Sequence, residues 1–537
     1  MPNPPSRMGE GSSIFPVVSK EHEIVLFSST AIALYGYDQG MMSLINTNKS
    51  YLHTMNISEE SPIVGIIVSV YYLGCTIGAV ISSKLADKEG RKPSIFVCLA
   101  TTTLGNILMF ISGLSSLAPS GSSSWNGKAI ICMLFGRVVM GLGVGGIDVV
   151  IPVYSSELSS DGARGKALAQ EFQMNIFGLL MAYTINLGIT IALGKQNQWA
   201  WRVPIIVMQV FPVLLMSVIS QLPETPRWLM SQDHKEDAKN ALEEIHGKDE
   251  AKNKFDELKR VHDDEGSESV GYWDMLLPGG SQFHPTMVTI MGQVNQALTG
   301  YGAVSVYGPQ IFGLLNFPTR KAEILTLGNY ISYFFFMTLA WLLIDVHGRR
   351  KLMVWGSVGL SGSFLLLTLF GGLAQSPKIP DLAVEIPGGI TLFFATAVFG
   401  IGWLATVWLI PTEIYPSTAR AQGAAVSVIV WGLANFAITL LTPIGFNNLK
   451  YWLFLVFAVT NAFAGWWTWR YSPESGGRSF EENQEFFEAA AKEGSWLVRR
   501  VDGGSFQLMP KDSSSEEEED GDGVRSPLLR RRTGGKR

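Results

Sequence analysis

Long apolar stretches alternate with short charged ones along most of the chain. Residues 203–221, VPIIVMQVFPVLLMSVISQ, carry no charged side chain, and 352–372 read LMVWGSVGLSGSFLLLTLFGG. Runs of about 18–25 such residues are long enough to cross a bilayer as helix. The pattern predicts twelve spans, near 23–45, 62–83, 94–114, 129–151, 168–191, 203–221, 285–312, 322–344, 352–372, 388–411, 421–442 and 450–470. The first lacks the short apolar core and cleavage site of a signal peptide, so it is expected to stay. The expected fold class is an all-α membrane protein.

Lysines and arginines collect in alternate connections. Lys84, Lys88, Arg91 and Lys92 follow span 2, and Arg164 and Lys166 follow span 4. Many charges fill 224–263, Arg349, Arg350 and Lys351 follow span 8, and Arg420 follows span 10. Cytoplasmic loops hold such an excess, which places both termini in the cytoplasm. Two sequons, Asn48-Lys-Ser and Asn56-Ile-Ser, then lie outside, where a glycan is expected.

Charged motifs recur in order. "ADKEGRK" after span 2 and "IDVHGRR" after span 8 share Asp, Gly at +3 and Arg at +4: Asp87, Gly90, Arg91 and Asp345, Gly348, Arg349. "PVYSSELSSDGAR" and "PTEIYPSTAR" share Glu and an Arg seven residues on: Glu157, Arg164 and Glu413, Arg420. "LPETPRW" with Glu224 answers "SPESGGR" with Glu474. One nearly constant offset means two homologous six-helix halves. The domains read as a cytoplasmic tail 1–22, a first half 23–222, a cytoplasmic linker 223–284 with short helices, a second half 285–472 and a tail 473–537. Such halves around a midplane cavity describe a rocking transporter. The motif acids and arginines are expected to pair across the halves while the inside is closed, and to separate as it opens. Anchoring alone would need no acids at fixed offsets.

Composition agrees. Only 16% of the 537 residues are charged, where soluble proteins carry about 25%. Cys75, Cys98 and Cys132 all fall in spans, which argues against a disulfide framework. No metal-ligand cluster, phosphate-binding loop or nucleophile elbow stands out, so no enzyme, cofactor or metal is expected, nor a nucleic-acid partner.

Asp38 interrupts the first span. An acid in mid-membrane costs about 2.5–3.5 kcal/mol on insertion scales, so it needs a partner or a wet cavity. It lies about 22 Å along its helix, and Arg137 of span 4 lies about 12 Å from the outer end of a helix running the other way. The two depths match. Asp38 and Arg137 are therefore an expected ion pair: a proton entering from outside would neutralise the acid and release the arginine. A pair that never titrates is the alternative. Asp148, a second acid in span 4, counts to the cytoplasmic end, where a solvated or arginine-paired role is as well supported as an ion role.

The motifs "GYDQG", "DKEGRK", "GRVVMGLGVGG", "PVYSSE", "PETPRW", "DVHGRR", "PTEIYP" and "SPESGGRSFEE", spread over 23–485, make the chain resemble the sugar porter family, fungal type, of the major facilitator superfamily. The resemblance implies the major facilitator fold, alternating access, and a sugar or polyol as substrate. Proton-coupled members carry a comparable Asp and Arg at the positions of Asp38 and Arg137. Matching the family's sugar-facing residues onto this sequence keeps Gln296, Asn435 and the stacking Trp408. Elsewhere the expected amides fall on Ala297, Gly302, Phe172, Tyr333 and, where an Asn-Trp pair begins in the family, on Trp431 with Gly432 next. A shift of one residue would instead put Gln173, Asn295 and Trp431 in the site. Tyr307 is a further candidate wall. Sites that hydrogen-bond hydroxyls reject mismatched ligands strongly, so fewer amides point to a less hydroxylated solute or weaker sugar binding.

The expected activity is proton-coupled symport of a sugar or polyol by a monomer in the lipid bilayer. A less polar solute, or a sugar sensor of the same fold that does not transport, are the alternatives. Retention of Asp38 argues against the sensor. Residues 513–523 form an acidic low-complexity run expected to be disordered. "SPLLRRR" at 526–532 allows a vacuolar or endosomal address beside the favoured plasma membrane.

Overall fold

The computed structural model describes residues 20–59, 61–114, 125–158, 164–265, 270–416 and 419–476, with a few positions between 482 and 498. Among these residues there is helix and no strand. The acidic run and the SPLLRRR segment lie outside them.

Twelve crossings appear. They are α1 (Lys20–Ile45), α2 (Pro62–Glu89), α3 (Arg91–Ile111), α4 (Trp125–Leu158), α5 (Arg164–Leu193), α6 (Trp199–Gln221), α7 (283–313), α8 (Thr319–His347), α9 (Arg349–Ala374), α10 (Asp381–Ile414), α11 (Arg420–Asn448) and α12 (Trp452–Tyr471). Among the described residues nine helices are long and apolar enough to cross a membrane by composition alone. The other three have visible reasons to fall short. Asp38 and Gln39 interrupt α1, α7 is broken after Leu298 and again at Tyr307, and α12 carries Asn461 and four tryptophans. Apolar side chains such as Ile131, Phe335 and Val358 face outward from the spans, as a protein solvated by lipid requires.

Helices of the first half approach closely through glycine. A Cβ on Gly74 or Gly78 of α2 would stand 2.3 or 2.1 Å from a carbonyl oxygen of α4, and one on Gly141 of α4 would stand 2.1 Å from that of Tyr71. Small residues are how membrane helices gain van der Waals contact when no hydrophobic force drives them together.

The linker forms four short helices, Pro226–Ser231, Lys235–His246, Lys248–Glu265 and Tyr272–Leu276. Leu229, Met230, Ala238 and Ala241 give the first two a small core of their own, against Trp228, Phe255 and Leu258. The linker docks beneath the first half: Trp228 Nε1 donates to the Asp87 carbonyl (2.9 Å), and Lys20 reaches Glu244 (3.5 Å). Between α1 and α2, Asn48 caps a helix over Lys49–Met55 by accepting from the Tyr51 N–H and is buried, while Asn56 is exposed. Of the two expected glycan sites, only Asn56 is thus reachable.

Candidate functional site: a buried ion pair, an aromatic bridge and two gates

The chemistry sits where α1 crosses α4. Arg137 Nη1 donates to Asp38 Oδ1 at 2.5 Å, and both side chains are buried to within 2% exposure. The remaining donors of Arg137 turn to the carbonyls of Ile67 and Val68 on α2 (3.3 Å each), and its guanidinium lies 4.6 Å from the Tyr71 ring centre. Removing one partner of such a pair costs about 3–5 kcal/mol, because the other charge is left unpaired in a low dielectric. Among the described residues Arg137 bonds no other carboxylate.

Between that pair and the linker side the halves meet through rings. Phe172 of α5 lies 5.6 Å from Trp408 of α10, Trp408 lies 5.8 Å from Trp431 of α11, and Trp431 packs edge-on against Tyr35 (5.4 Å) and Tyr72 (5.2 Å) of the first half. Phe172, not Gln173, faces the midline. Gln173 points to α8, where its Nε2 donates to the Thr338 hydroxyl and Phe334 carbonyl and its Oε1 accepts from Trp341 Nε1 (2.9 Å).

The retained amides are mostly engaged. The last part of α10 passes through a π turn, Gly400–Leu404, and Gln296 Nε2 donates to the carbonyls of Trp403 (3.1 Å) and Leu404 (3.4 Å) there. Such turns leave backbone acceptors outside the regular ladder. Asn435 bonds its own helix through the Trp431 carbonyl (2.9 Å), and its Oδ1 occupies the space that a side chain at Gly302 would need. Asn295 is buried with its Oδ1 unpartnered. Tyr307 is buried inside the second half, donating to the Thr439 carbonyl (3.1 Å) and packing on Phe446. Tyr333 and Phe399 pack with Tyr301.

On the side of the linker the repeat becomes geometry. Gly90 and Gly348, with φ/ψ of 101/167° and 81/164°, separate paired helices in each half. The arginine that follows each one folds back. Arg91 bonds Glu157 (3.1 Å), Asp87 (3.5 Å) and the Ala86 carbonyl; Arg349 bonds Glu413 (2.6 Å), Asp345 (3.1 Å) and the Ile344 carbonyl. Glu224 accepts from the Lys92 N–H, and Glu474 from those of Arg349 and Arg350. Burial pushes the Glu224 carboxyl above its usual range, against the backbone amides that favour its charge.

These ion pairs therefore close within each half, not across the halves as expected from the motifs. The reason is local: the glycine turn aims the arginine at the far end of the following helix of its own bundle. A contact that does cross here is Gln422 Nε2 to Asp87 Oδ2 (2.9 Å). Arg420 is buried at the start of α11, and the side chain of Arg164 lies outside the described residues.

At the opposite ends of the helices, a second cross-half closure was not foreseen. Glu323 of α8, 1% exposed, pairs with Lys195 after α5 and with Arg320 (3.2 Å). Tyr183 of α5 donates to the Glu323 carbonyl (3.0 Å), and Ser43 meets the Tyr330 hydroxyl (3.3 Å). The signal in the sequence was an acid at the head of an apolar run. Nothing local announced its partner, 128 residues earlier.

Two six-helix halves, a buried acid–arginine pair and closures on both sides of a midline site define a transporter of the major facilitator type. The family described as "Sugar (and other) transporter" matches residues 24–487, and the chain belongs to it. It is 29% identical to the MFS-type transporter oryC of Aspergillus oryzae (strain ATCC 42149 / RIB 40), over 86% of this chain and 85% of that one. It is 27% identical to the D-xylose-proton symporter of Escherichia coli (strain K12), over 87% and 96%. With the major myo-inositol transporter IolT of Bacillus subtilis (strain 168) the identity is 26%, over 87% and 94%. In three dimensions it superposes on the proton:xylose symporter XylE bound to 6-bromo-6-deoxy-D-glucose with a TM-score of 0.75. That match has 23% identity and covers 87% of this chain and 99% of the other. The chain is an integral, multi-pass membrane protein.

Proposed function

We propose that this protein carries a sugar or polyol together with a proton by alternating access, as a monomer with both termini in the cytoplasm and the plasma membrane as its favoured site. The observation that carries the reading is the buried Asp38–Arg137 pair. With the acid ionised, Arg137 is held to α1. A proton taken from outside removes the attraction, and α1 and α4 can then shift relative to one another. The solute binds between the halves near Gln296, Trp408, Phe172 and Trp431. Closing around it makes the outer latch at Glu323 and loosens the inner contact at Asp87. Relatives named for xylose–proton symport and for myo-inositol transport support the choice of solute class.

A second reading has its own observation. Phe172, Trp408, Trp431, Tyr35 and Tyr72 present rings where hydroxyls would need amides, and Gln296 and Asn435 donate to backbone. This favours a solute with fewer hydroxyls and an apolar face. Uptake of labelled glucose, xylose and a polyol, in cells stripped of their own sugar carriers, tests both. Uptake with alkalinisation of the medium, lost or uncoupled in Asp38→Asn, supports the symporter. No uptake of any of the three by surface-expressed protein would overturn the solute class.

A further inference from the structure

Asp148 lies on the same face of α4 as Arg137, three turns further in, about 16 Å along the axis. The helix does not end near it. It runs on through Pro152 to Leu158, so Asp148 sits about 15 Å short of the cytoplasmic end. The side chain is 4% exposed, and neither carboxylate oxygen has a hydrogen-bond partner among the described residues. It is thus buried and not paired with an arginine, which leaves the ion role among those its position in the sequence offered.

An isolated carboxylate in such a place costs many kcal/mol, and a protonated one far less. Among the described residues no cation offsets the charge. Tyr35 of α1 and Tyr71 and Cys75 of α2 lie within electrostatic range of the carboxyl. Tyr71 and Cys75 are also in electrostatic range of Asp38, so both acids act on the same two groups. The Tyr71 hydroxyl is buried without a partner, and that of Tyr35 accepts from Gln39 Nε2 (2.7 Å). Two turns beyond Asp148 on the same face, Ser155 donates to Glu171 of α5 (2.5 Å), whose other oxygen has no partner.

We propose that Asp148 is a second proton-binding carboxyl, to which the proton passes from Asp38 on its way to the cytoplasm, with Glu171 the next acceptor. The step balances without a co-reactant. Protonated Asp38 gives its proton to a tyrosine hydroxyl, which releases its own to the Asp148 carboxylate. Asp38 becomes charged again and re-forms its pair with Arg137, and Asp148 is left neutral. The inference rests on proton coupling at Asp38.

The test uses full-length protein in liposomes, with Asp148→Asn and Asp148→Glu, and xylose as the probe solute. Infrared difference spectra between acid and alkaline buffer should show a protonated-carboxyl C=O band that Asp148→Asn removes, whether or not the probe is carried. Asp148→Asn should keep xylose exchange at equal concentrations but lose proton-driven net uptake by roughly a hundredfold, and Asp148→Glu should restore much of it. Unchanged spectra and unchanged coupled uptake in Asp148→Asn would overturn the proposal. Loss of exchange together with net uptake would overturn it too, marking Asp148 as a solute ligand. If wild-type protein moves xylose with no proton at any pH, it is the coupling at Asp38 that fails, and the infrared band still reads the proton on Asp148.

Discussion

Phe172 and Trp408 face each other across the two halves with ring centres 5.6 Å apart, at a place where the family resemblance leads one to expect an amide. On the proposed reading the pair couples solute choice to closure, because a ligand bound between the halves would have to part or replace these rings. Phe172→Gln returns a hydrogen-bonding group beside Trp408. One net hydrogen bond is worth about 0.5–1.5 kcal/mol, so kcat/KM for xylose or glucose should rise about two- to tenfold. Initial-rate uptake at several concentrations would check this, and an unchanged ratio would place the solute elsewhere.

The pair formed by Lys195 and Glu323 should set how long the outside stays shut. Both partners of Glu323 are basic, and one of them comes from the opposite half. Glu323→Gln should shift the resting population towards outward opening by roughly 1–3 kcal/mol, typical of a coupling free energy. A cysteine placed at Ser43, in protein lacking Cys132, would then react faster with a membrane-impermeant maleimide. An equal labelling rate would show that the latch carries no closing energy.

Gly90 and Gly348 should behave alike, as the repeat demands. Their φ/ψ values fall in a region open to glycine alone, and an added Cβ would meet Glu224 Oε2 at 2.7 Å or Glu474 Oε2 closely. Gly90→Ala and Gly348→Ala should each destabilise by about 1–3 kcal/mol. The readout is a lower melting temperature of detergent-purified protein. Truncating Glu224 or Glu474 as well should not rescue it, because the backbone strain remains.

Arg349→Lys should fail where charge alone would suffice. The guanidinium bonds Glu413, Asp345 and the Ile344 carbonyl together, through a fork that an ammonium lacks. Transport should drop about tenfold or more with the protein still at the membrane, which surface biotinylation would separate from poor folding. Wild-type rates in Arg349→Lys would mean that position, not geometry, is all this charge supplies.

Much of this was legible in the sequence, for physical reasons. Apolar runs betray spans because lipid tolerates little else, and Asp38 pointed to Arg137 because a buried charge must find a partner. The motif repeat located Arg91 and Arg349 and their acids, yet not that each would close within its own half. That follows from the turn at Gly90 and Gly348, which a motif does not display. On a helix one residue is a turn of 100°, so Phe172 and Gln173 could not be told apart until α8 was seen to take the glutamine. The Lys195–Glu323 latch was silent because its halves are joined only by tertiary structure. Gln296 likewise meets a π turn that no local pattern announces.

The most direct measurement of the central claim is solute accumulation in proteoliposomes under an imposed inward proton gradient, using whichever of glucose, xylose or a polyol is carried best. Wild-type protein is predicted to concentrate the solute above its external level and to acidify the lumen as it does so. Asp38→Asn should exchange solute without concentrating it. Accumulation by Asp38→Asn equal to wild type, or wild-type protein that only equilibrates at every pH, would contradict the account.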